Sequence, residues 1–479
     1  MMLTNSARRW VAKSLGVAAA ALVLAQCSQI NSHVPAPEEK AIGTSGAIAR
    51  YHALLNTPFT HPMVADGYII GIEKSPRATI GFAGDGADTT RLIAPAQSAL
   101  PLHPRDLAQQ QGSFDAALDD PKVMFVSHIL RYGSATKNPA AKVDLAYSAY
   151  SQTAFGPYPA APLSQAYETG WAALEGLQEQ IIDDVERAKA QNDPYTHLLF
   201  ASMGWNNYQF ESVARYNAIV QHTQRAAQSQ GADFKPLVIG LTWPSVWGGT
   251  SAFDLANRAA HIGSYTVKAR DADEIGYGIA NYILNASLPR IEAETGLPTV
   301  LLGHSMGARI LTRAYFSADL LKDNTPRTGS GPTVISLQAA LSANRFLPEY
   351  QLVPPFRWLI SGEGGPYQNN AGQSGLMAMT WSTHDTANPV ARFATGARHV
   401  GGKAGAKRIA KEPKLAKMFE TVALTRTGDM SELSGPCETV RQNRKVLYVN
   451  ASGIIASHGD IANPEVGKLV WELVSCLGP

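Results

Sequence analysis

A serine between two glycines is the first feature of the sequence that could do chemistry. Gly303–Gly307 reads GHSMG, the G-x-S-x-G spacing that places a serine on a tight turn between a strand and a helix. An apolar run from Pro298 leads into this turn, and the apolar spacing of a helix follows it at once. Flanking glycines leave room for the strained backbone of such a turn, so that the hydroxyl projects clear of the sheet. We therefore predict Ser305 as a nucleophile.

An acid and a base follow Ser305 in the chain order of a triad on a parallel sheet, which is serine, acid, histidine. Asp385 comes directly after the apolar run that starts at Leu376, and His458 follows the run that ends at Asn450. We predict that His458 takes the proton of Ser305, while Asp385 fixes the tautomer of the histidine and stabilises its charged form. The alternatives are a turn aspartate and an exposed loop histidine.

The oxygen that becomes negative during attack on an acyl group needs backbone N–H donors. One is expected from Met306, the residue after the nucleophile. The other is expected from the loop that follows the strand His197–Met203, where Gly204 and Trp205 are both candidates. The sequence leaves the choice between these two open.

Alternating strand and helix signals surround these residues and predict an α/β fold, with a mostly parallel sheet covered by helices on both faces. The predicted strands are 123–129, 197–203, 236–243, 298–304, 333–339, 376–383 and 445–451. The predicted helices are 167–190, 209–230, 269–290 and a last helix that Asn463 caps and Pro464 opens. Asp385 and His458 then lie on loops at the carboxyl edge of the sheet.

The chain from residue 121 to residue 479 resembles a bacterial, esterase- and lipase-like branch of the α/β-hydrolase superfamily, a branch of largely unknown function. Five segments carry the likeness, in chain order Met203–Asn206 (MGWN), Leu241–Ser245 (LTWPS), Gly303–Gly307 (GHSMG), His384–Ala387 (HDTA) and Ser457–Ile461 (SHGDI). The family has a histidine where this chain has Met203. The resemblance implies a catalytic domain of α/β-hydrolase fold that hydrolyses acyl esters, without naming a substrate.

Several segments fall outside this pattern. Residues 46–120 mix short apolar runs with turns and form an N-terminal extension to which we assign no fold. Residues 342–375 and 388–440 are long for plain connections. We therefore predict that they form lid-like insertions that cover the substrate site. Within the second insertion, the basic and glycine-rich stretch 398–408 lacks the spacing of a phosphate-binding loop and is predicted as a solvated loop.

Two further tryptophans are expected on loops at the catalytic edge. Trp243 ends the predicted strand 236–243, and Trp247 follows it. They either line an apolar substrate pocket or anchor their loop by packing, and the sequence favours neither role.

The first 27 residues predict export. A positively charged start precedes the apolar run Leu15–Ala25, which has the length of a signal peptide core. The run ends in LAQC, which resembles the lipobox of bacterial lipoproteins and would make Cys27 the acylated residue. Cleavage without acylation, giving a soluble periplasmic or secreted protein, is the alternative. Residues 28–45 are polar with two prolines and are predicted to form a flexible tether.

Cys437 and Cys476 are the remaining cysteines. In an exported protein such a pair is predicted to form a disulfide, which would clamp the C-terminal helix. Two buried, reduced cysteines are the alternative.

Composition limits the class of partner. With 41 basic and 39 acidic residues the net charge is +2, which gives no single-sign field for nucleic acid. No histidine, cysteine and carboxylate cluster has metal-ligand spacing, so we expect catalysis without metal or cofactor on a small ester or lipid-like substrate. Two rivals remain, an acyltransferase with the same triad and a non-catalytic envelope lipoprotein on the same fold.

Overall fold

The structure is a computed structural model that describes nine stretches of the chain, namely 62–74, 124–133, 143–148, 163–245, 271–318, 331–347, 375–388, 397–424 and 433–478. It also describes the single residues 265, 268, 269, 321, 367 and 392. Several predictions lie outside the described residues: the signal peptide, Cys27, the tether 28–45, Trp247, and most of the extension 46–120 and of the insertion 342–375.

Ten strands of the described chain form one sheet. They are β1 (Gly67–Lys74), β2 (Met124–Tyr132), β3 (Val143–Ser148), β4 (His197–Ser202), β5 (Pro236–Thr242), β6 (Thr299–His304), β7 (Thr333–Leu337), β8 (Leu376–Trp381), β9 (Phe419–Ala423) and β10 (Val446–Asn450). Their order across the sheet is β3-β2-β1-β5-β4-β6-β7-β8-β10-β9. β2 runs antiparallel to β1 and β3, and every other neighbouring pair is parallel.

Helices cover both faces of this sheet. They are α1 (Leu163–Ala190), α2 (Gln209–Ser229), α3 (Ile279–Tyr282), α4 (Leu288–Thr295), α5 (Met306–Tyr315), α6 (Lys403–Lys411), α7 (Pro413–Met418), α8 (Ser434–Asn443) and α9 (Pro464–Leu477). One face packs against α1, α5 and the helical residues between 271 and 295, and the other packs against α2, α8 and α9. The protein is therefore of the α/β class, as the sequence predicts.

Alternation along the central strands explains why helices are needed on both sides. In β4, Leu198 and Phe200 point into one core, whereas Leu199 and Ala201 point into the other. All four are buried. A strand that is apolar on both faces buries both only between two helical layers.

Several local expectations differ from the structure. β1, β3 and β9 were not predicted, and β1 brings part of the extension 46–120 into the sheet between β2 and β5. The single helix predicted at 269–290 is wrong, because the backbone leaves helical geometry at Gly278 and a π-helical turn spans Ile283–Ser287. The solvated loop predicted at 398–408 is also wrong beyond residue 402, since α6 begins at Lys403.

The predicted disulfide is confirmed. Cys437 in α8 and Cys476 in α9 are joined, with their Cα atoms 5.9 Å apart. The bond closes a loop that contains β10 and the segment around His458. None of the helices that the structure describes is long and apolar enough to cross a membrane.

Candidate active site

Ser305 lies on a strained turn between β6 and α5. Its φ is 55° and its ψ is −118°, outside the conformations that a residue with a side chain normally adopts. Two backbone hydrogen bonds hold the turn: the Ser305 N–H donates to Leu337 at 3.0 Å, and Ser305 accepts from the N–H of Ala340 at 3.0 Å. The residue two positions after the serine must be a glycine, because a Cβ at Gly307 would lie 2.0 Å from the carbonyl oxygen of Ser202.

The structure brings Ser305, His458 and Asp385 together. The Ser305 hydroxyl oxygen lies 2.8 Å from Nε2 of His458, and Nδ1 of His458 lies 2.9 Å from Oδ2 of Asp385. The three residues follow β6, β10 and β8, whose carboxyl ends meet at one edge of the sheet. This is the hydrogen-bond sequence in which a histidine can remove the serine proton while a carboxylate holds its other ring nitrogen.

Asp385 is almost fully buried, at 4% exposed, and several donors surround its carboxylate. The backbone N–H of Asn388 donates to Oδ1 at 2.8 Å, and the Asn388 side chain donates to Oδ2 at 2.7 Å. The Gln338 amide donates to the same Oδ2 at 3.3 Å. The carboxylate is thus fixed in the orientation that His458 requires.

Sequence reasoning missed both of these partners. Asn388 stands three positions after Asp385, a spacing at which a carboxylate commonly caps a following backbone N–H, so a signal was present. Gln338 follows β7 with a φ of 44°, and nothing in its sequence context points to Asp385.

His304, the residue before the nucleophile, holds the backbone of His458. Its Nε2 donates to the carbonyl oxygen of His458 at 2.9 Å, and the two rings have centroids 4.9 Å apart. Burial, reinforced by the neighbouring His458, lowers the pKa of the His304 imidazole well below its ordinary value. His304 is therefore neutral, and because a carbonyl only accepts, the proton is on Nε2.

The loop that carries His458 is also held from two helices. Nη1 of Arg215 in α2 donates to the carbonyl oxygen of Gly459 at 3.1 Å. Asn463, the cap of α9, accepts from the N–H of Val466 at 2.9 Å and donates to the carbonyl oxygen of Ile454 at 3.1 Å. The capping role predicted for Asn463 is confirmed, and the cap also anchors the histidine loop.

The loop after β4 lies against the nucleophile. A Cβ at Gly204 would be 2.6 Å from Cβ of Ser305, and Met306 starts the helix behind the serine. Within the described chain no backbone group accepts from the N–H of Gly204 or of Met306. Met306 and Gly204, two of the three candidate donors, are thus next to Ser305, and the choice between Gly204 and Trp205 as the second donor stays open. α5 directs its positive end toward the same point.

Ser245 and Asn207 fix the shape of this loop. The Asn207 side chain donates to the carbonyl oxygens of Gly204 and Trp205 at 2.9 and 3.1 Å. The Ser245 hydroxyl in turn accepts from the Asn207 N–H at 3.1 Å and donates to its carbonyl oxygen at 2.7 Å. The MGWN and LTWPS segments thus form one hydrogen-bonded unit beside the nucleophile.

The two tryptophans of these segments pack rather than stand free. Trp243 is buried and its indole N–H donates to the carbonyl oxygen of Met203 at 2.9 Å, which agrees with an anchoring role rather than a pocket wall. Trp205 is half-buried and meets the ring of Tyr265 edge-on, with centroids 5.8 Å apart. Met203, at the position of the family's histidine, lies in the core.

No set of three or more histidine, cysteine, aspartate or glutamate side chains in the described ranges is placed to hold a metal ion. Comparison with protein-family models, with curated proteins and with solved structures finds no match to this chain.

Proposed function

We propose that the protein is an exported serine hydrolase that cleaves carboxylic esters through an acyl-enzyme. The observation that carries the proposal is the continuous hydrogen-bonded series from Ser305 through His458 to Asp385, which starts on a strained turn at the amino end of α5. The chain order and the mostly parallel sheet are also compatible with the α/β-hydrolase fold.

Acylation follows from this geometry. The Ser305 oxygen attacks the acyl carbon of the ester as Nε2 of His458 takes the hydroxyl proton, and Asp385 stabilises the imidazolium through Nδ1–H. The carbonyl oxygen becomes negative and accepts from the N–H of Met306 and from the N–H of Gly204 or Trp205. Collapse of this intermediate breaks the ester bond, and His458 returns its proton to the departing alcohol.

Deacylation uses the same groups with water as the nucleophile. His458 removes a proton from water, the resulting hydroxide attacks the acyl-serine, and the acid leaves as Ser305 regains its proton. An acyltransferase would use another alcohol or an amine in place of water at this step.

Export is supported by two features. The first 27 residues have the charge and apolar pattern of a signal peptide that ends in LAQC. The bond between Cys437 and Cys476 fits an oxidising compartment. We propose a lipoprotein anchored to the cell envelope through Cys27, or a soluble periplasmic or secreted enzyme where Cys27 is not acylated.

Turnover of p-nitrophenyl acyl esters of increasing chain length tests the activity. We expect hydrolysis by the mature protein and none by Ser305→Ala, with a chain-length optimum that reports the size of the acyl pocket. Ser229→Ala at the exposed end of α2 is the matched control and should keep full activity.

Labelling and partition experiments separate the rival functions. A fluorophosphonate should label Ser305 covalently in the native chain and not in Ser305→Ala. Absence of both labelling and turnover would favour a non-catalytic envelope protein. Faster acyl transfer to an added alcohol or amine than to water would favour an acyltransferase.

A further inference from the structure

A cavity of about 540 Å³ opens beside the candidate active site. Its described lining includes Asn388, Arg392, His399, Lys403 and Lys407. The volume is in the range of a site for a small molecule or for part of a larger substrate. The mechanism proposed above uses none of its cationic side chains.

The cavity adjoins the triad through both side chains and backbone. Asn388, on its wall, is the residue that donates twice to Asp385. The segment that leads into α6 is hydrogen-bonded to the strand ends of the site, because Ser382 and Gly401 are bonded through the backbone at 3.2 Å. The cavity and Ser305 therefore lie at the same carboxyl edge of the sheet, and we expect a substrate whose acyl carbon is at Ser305 to extend along that edge.

The charge around the cavity is positive. Lys403 is the first residue of α6, and Lys407 lies one turn later on the same face. Arg392 also lines the cavity. All three are exposed, and none of them forms an ion pair with a carboxylate in the described part of the chain. The positive charges are thus left for an external anion.

The position of Lys403 makes this accumulation of charge unusual. The amino end of a helix carries partial positive charge, which favours an acidic residue in the first turn. The first turn of α6 contains no acidic residue and starts with a lysine instead. A bound anion at this end would offset both the helix dipole and the lysine charge.

His399 is an independent polar group of the same wall. It is 1% exposed, its Nε2 is 3.1 Å from the hydroxyl of Tyr265, and its Nδ1 forms no hydrogen bond of normal geometry, although the backbone of Asn388 lies near the ring. Burial and the charges of Arg309 and Arg345 lower the pKa of His399 to about 3, so the ring is neutral at neutral pH. A buried imidazole nitrogen without a partner is costly unless a ligand or water supplies one.

We propose that this cavity binds a carboxylate or phosphate group carried by the ester substrate, with Arg392, Lys403 and Lys407 as the cationic contacts. The inference rests on the proposed function, since it assigns a substrate class to the same site. The enzyme then selects anionic esters, such as half-esters of dicarboxylic acids or acyl esters of glycerol phosphate, over neutral esters of the same length.

Matched ester pairs test this specificity. We would measure kcat/KM for the mono-p-nitrophenyl ester of adipic acid against p-nitrophenyl hexanoate, and for an acyl glycerol phosphate against the same acyl glycerol. In at least one pair we expect the native enzyme to prefer the anionic ester, and Lys403→Gln/Lys407→Gln to lower that preference about tenfold. Raising the ionic strength should lower it too, because exposed charges are screened.

Lys411→Gln/Lys417→Gln is the matched control, since it removes the same charge from exposed lysines of α6 and α7 outside the lining. The control should keep the native preference. Equal preference in the native chain and in Lys403→Gln/Lys407→Gln, in both pairs, overturns the proposal.

Binding of inorganic phosphate to Ser305→Ala separates the failure of this proposal from failure of the hydrolase function. Calorimetry should detect phosphate binding that Lys403→Gln/Lys407→Gln weakens about tenfold and the control pair does not. If no ester is hydrolysed but phosphate binds in this way, the anion site stands and the hydrolase assignment fails. Phosphate binding that is absent, or unaffected by the lysine changes, overturns the anion site.

Discussion

At the residue scale, Asp385 is held by more groups than a turn aspartate needs. Its two carboxylate oxygens together receive hydrogen bonds from Asn388, Gln338 and His458, all from loops at one edge of the sheet. The acceptor Oδ2 is shared between the histidine and two amides. Such convergence leaves the carboxylate one orientation, which is the one that selects the Nδ1–H tautomer of His458.

Asp385→Asn should therefore abolish most activity without unfolding the protein. The amide keeps the shape of the carboxylate but offers His458 a poorer acceptor and no charge for the imidazolium. We expect kcat for the best p-nitrophenyl ester to fall about 10⁴-fold, with little change in KM. A variant that keeps a tenth of the native kcat would contradict the role assigned to Asp385.

His304 is expected to act as a positioning residue through the backbone of His458. His304→Phe leaves the carbonyl oxygen of His458 without its donor, which costs about 1–3 kcal/mol. Because this hydrogen bond holds the backbone of His458, its loss should displace the imidazole. We expect kcat to fall about tenfold at unchanged KM.

His304→Gln is the test of that mechanism, because its amide can donate to the same oxygen. Partial recovery of kcat in this variant, with equal thermal stability in both variants, supports positioning. Equal kcat in His304→Phe and in the native enzyme would exclude it.

Residue types and chain order were enough to predict that Ser305, Asp385 and His458 lie together, because each follows a strand whose apolar run is visible in the sequence. The residues that support them were not predictable in the same way. Gln338 and His304 reach the triad through hydrogen bonds between loops that are 47 and 154 positions apart in sequence, to Asp385 and to His458 respectively. Only the fold defines such contacts.

At the element scale, α5 is fixed from behind by a buried ion cluster. Oδ1 of Asp273 accepts from Arg309 of α5 at 3.1 Å and from Arg345 at 2.8 Å. Oδ2 accepts from the same two residues at 2.6 and 2.8 Å. Burial alone would raise the pKa of the Asp273 carboxyl, but the charges of the two arginines outweigh it and its pKa lies well below the ordinary value. The cluster links α5, which begins directly after Ser305, to the helical segment 271–277 and to the turn after β7.

Asp273→Asn should destabilise the protein by about 3–5 kcal/mol, because it leaves buried guanidinium charge without its carboxylate. A carboxyl group with a lowered pKa stabilises the folded state above its unfolded pKa. The difference from the native protein should therefore be full at pH 7 and shrink below about pH 4. Urea unfolding of the variant and the native protein at pH 7 and below about pH 4 measures this difference in the free energy of unfolding. Asp183→Asn, on the exposed face of α1, is the control and should change stability little.

The disulfide between α8 and α9 stabilises the region that carries His458. It closes a loop of 39 residues in sequence, for which loss of the cross-link is expected to cost about 3–4 kcal/mol. Cys437→Ser/Cys476→Ser should lower the melting temperature and make it insensitive to dithiothreitol, whereas dithiothreitol should lower that of the native protein. A native melting temperature in the variant would contradict a stabilising role.

Buried strands were easier to predict than the edge strands of the sheet or the break in the helix predicted at 269–290. The seven predicted strands overlap β2, β4, β5, β6, β7, β8 and β10, because buried strands are continuous apolar runs. β3 and β9 are the edge strands, and β3 is largely exposed, so neither has such a run. The break at Gly278 and the π-helical turn after it interrupt a segment whose apolar spacing is helical throughout, so periodicity gave no sign of them.

At the scale of the whole molecule, the chemistry and the positive cavity share one edge of the sheet. Ser305, Asp385 and His458 follow the carboxyl ends of three parallel strands, and the start of α6 is bonded to the same edge. The opposite edge carries no residue that we assign to function. A substrate is therefore expected to approach from one side of the sheet only.

The largest difference from the sequence interpretation is that the extension 46–120 supplies a strand of the sheet. β1 lies between β2 and β5, with Tyr68, Ile69, Ile70 and Ile72 fully buried. The Tyr68 hydroxyl also donates to Asp184 of α1 at 2.7 Å. A short apolar run among turns gave no sign of this role, because its partners β2 and β5 lie far along the chain.

The chain from residue 46 onward should fold, whereas the chain from residue 76 onward should not. Burial of the four apolar side chains of β1 is worth roughly 6–12 kcal/mol at about 1.5–3 kcal/mol each. The total stability of a domain is about 5–15 kcal/mol, so loss of β1 removes most of it and also exposes the edges of β2 and β5. Circular dichroism and fluorophosphonate labelling would compare the two truncated chains. If the chain from residue 76 onward is monomeric, cooperatively folded and labelled at Ser305, then β1 is dispensable, and residues 46–120 are an extension of the catalytic domain rather than part of its sheet.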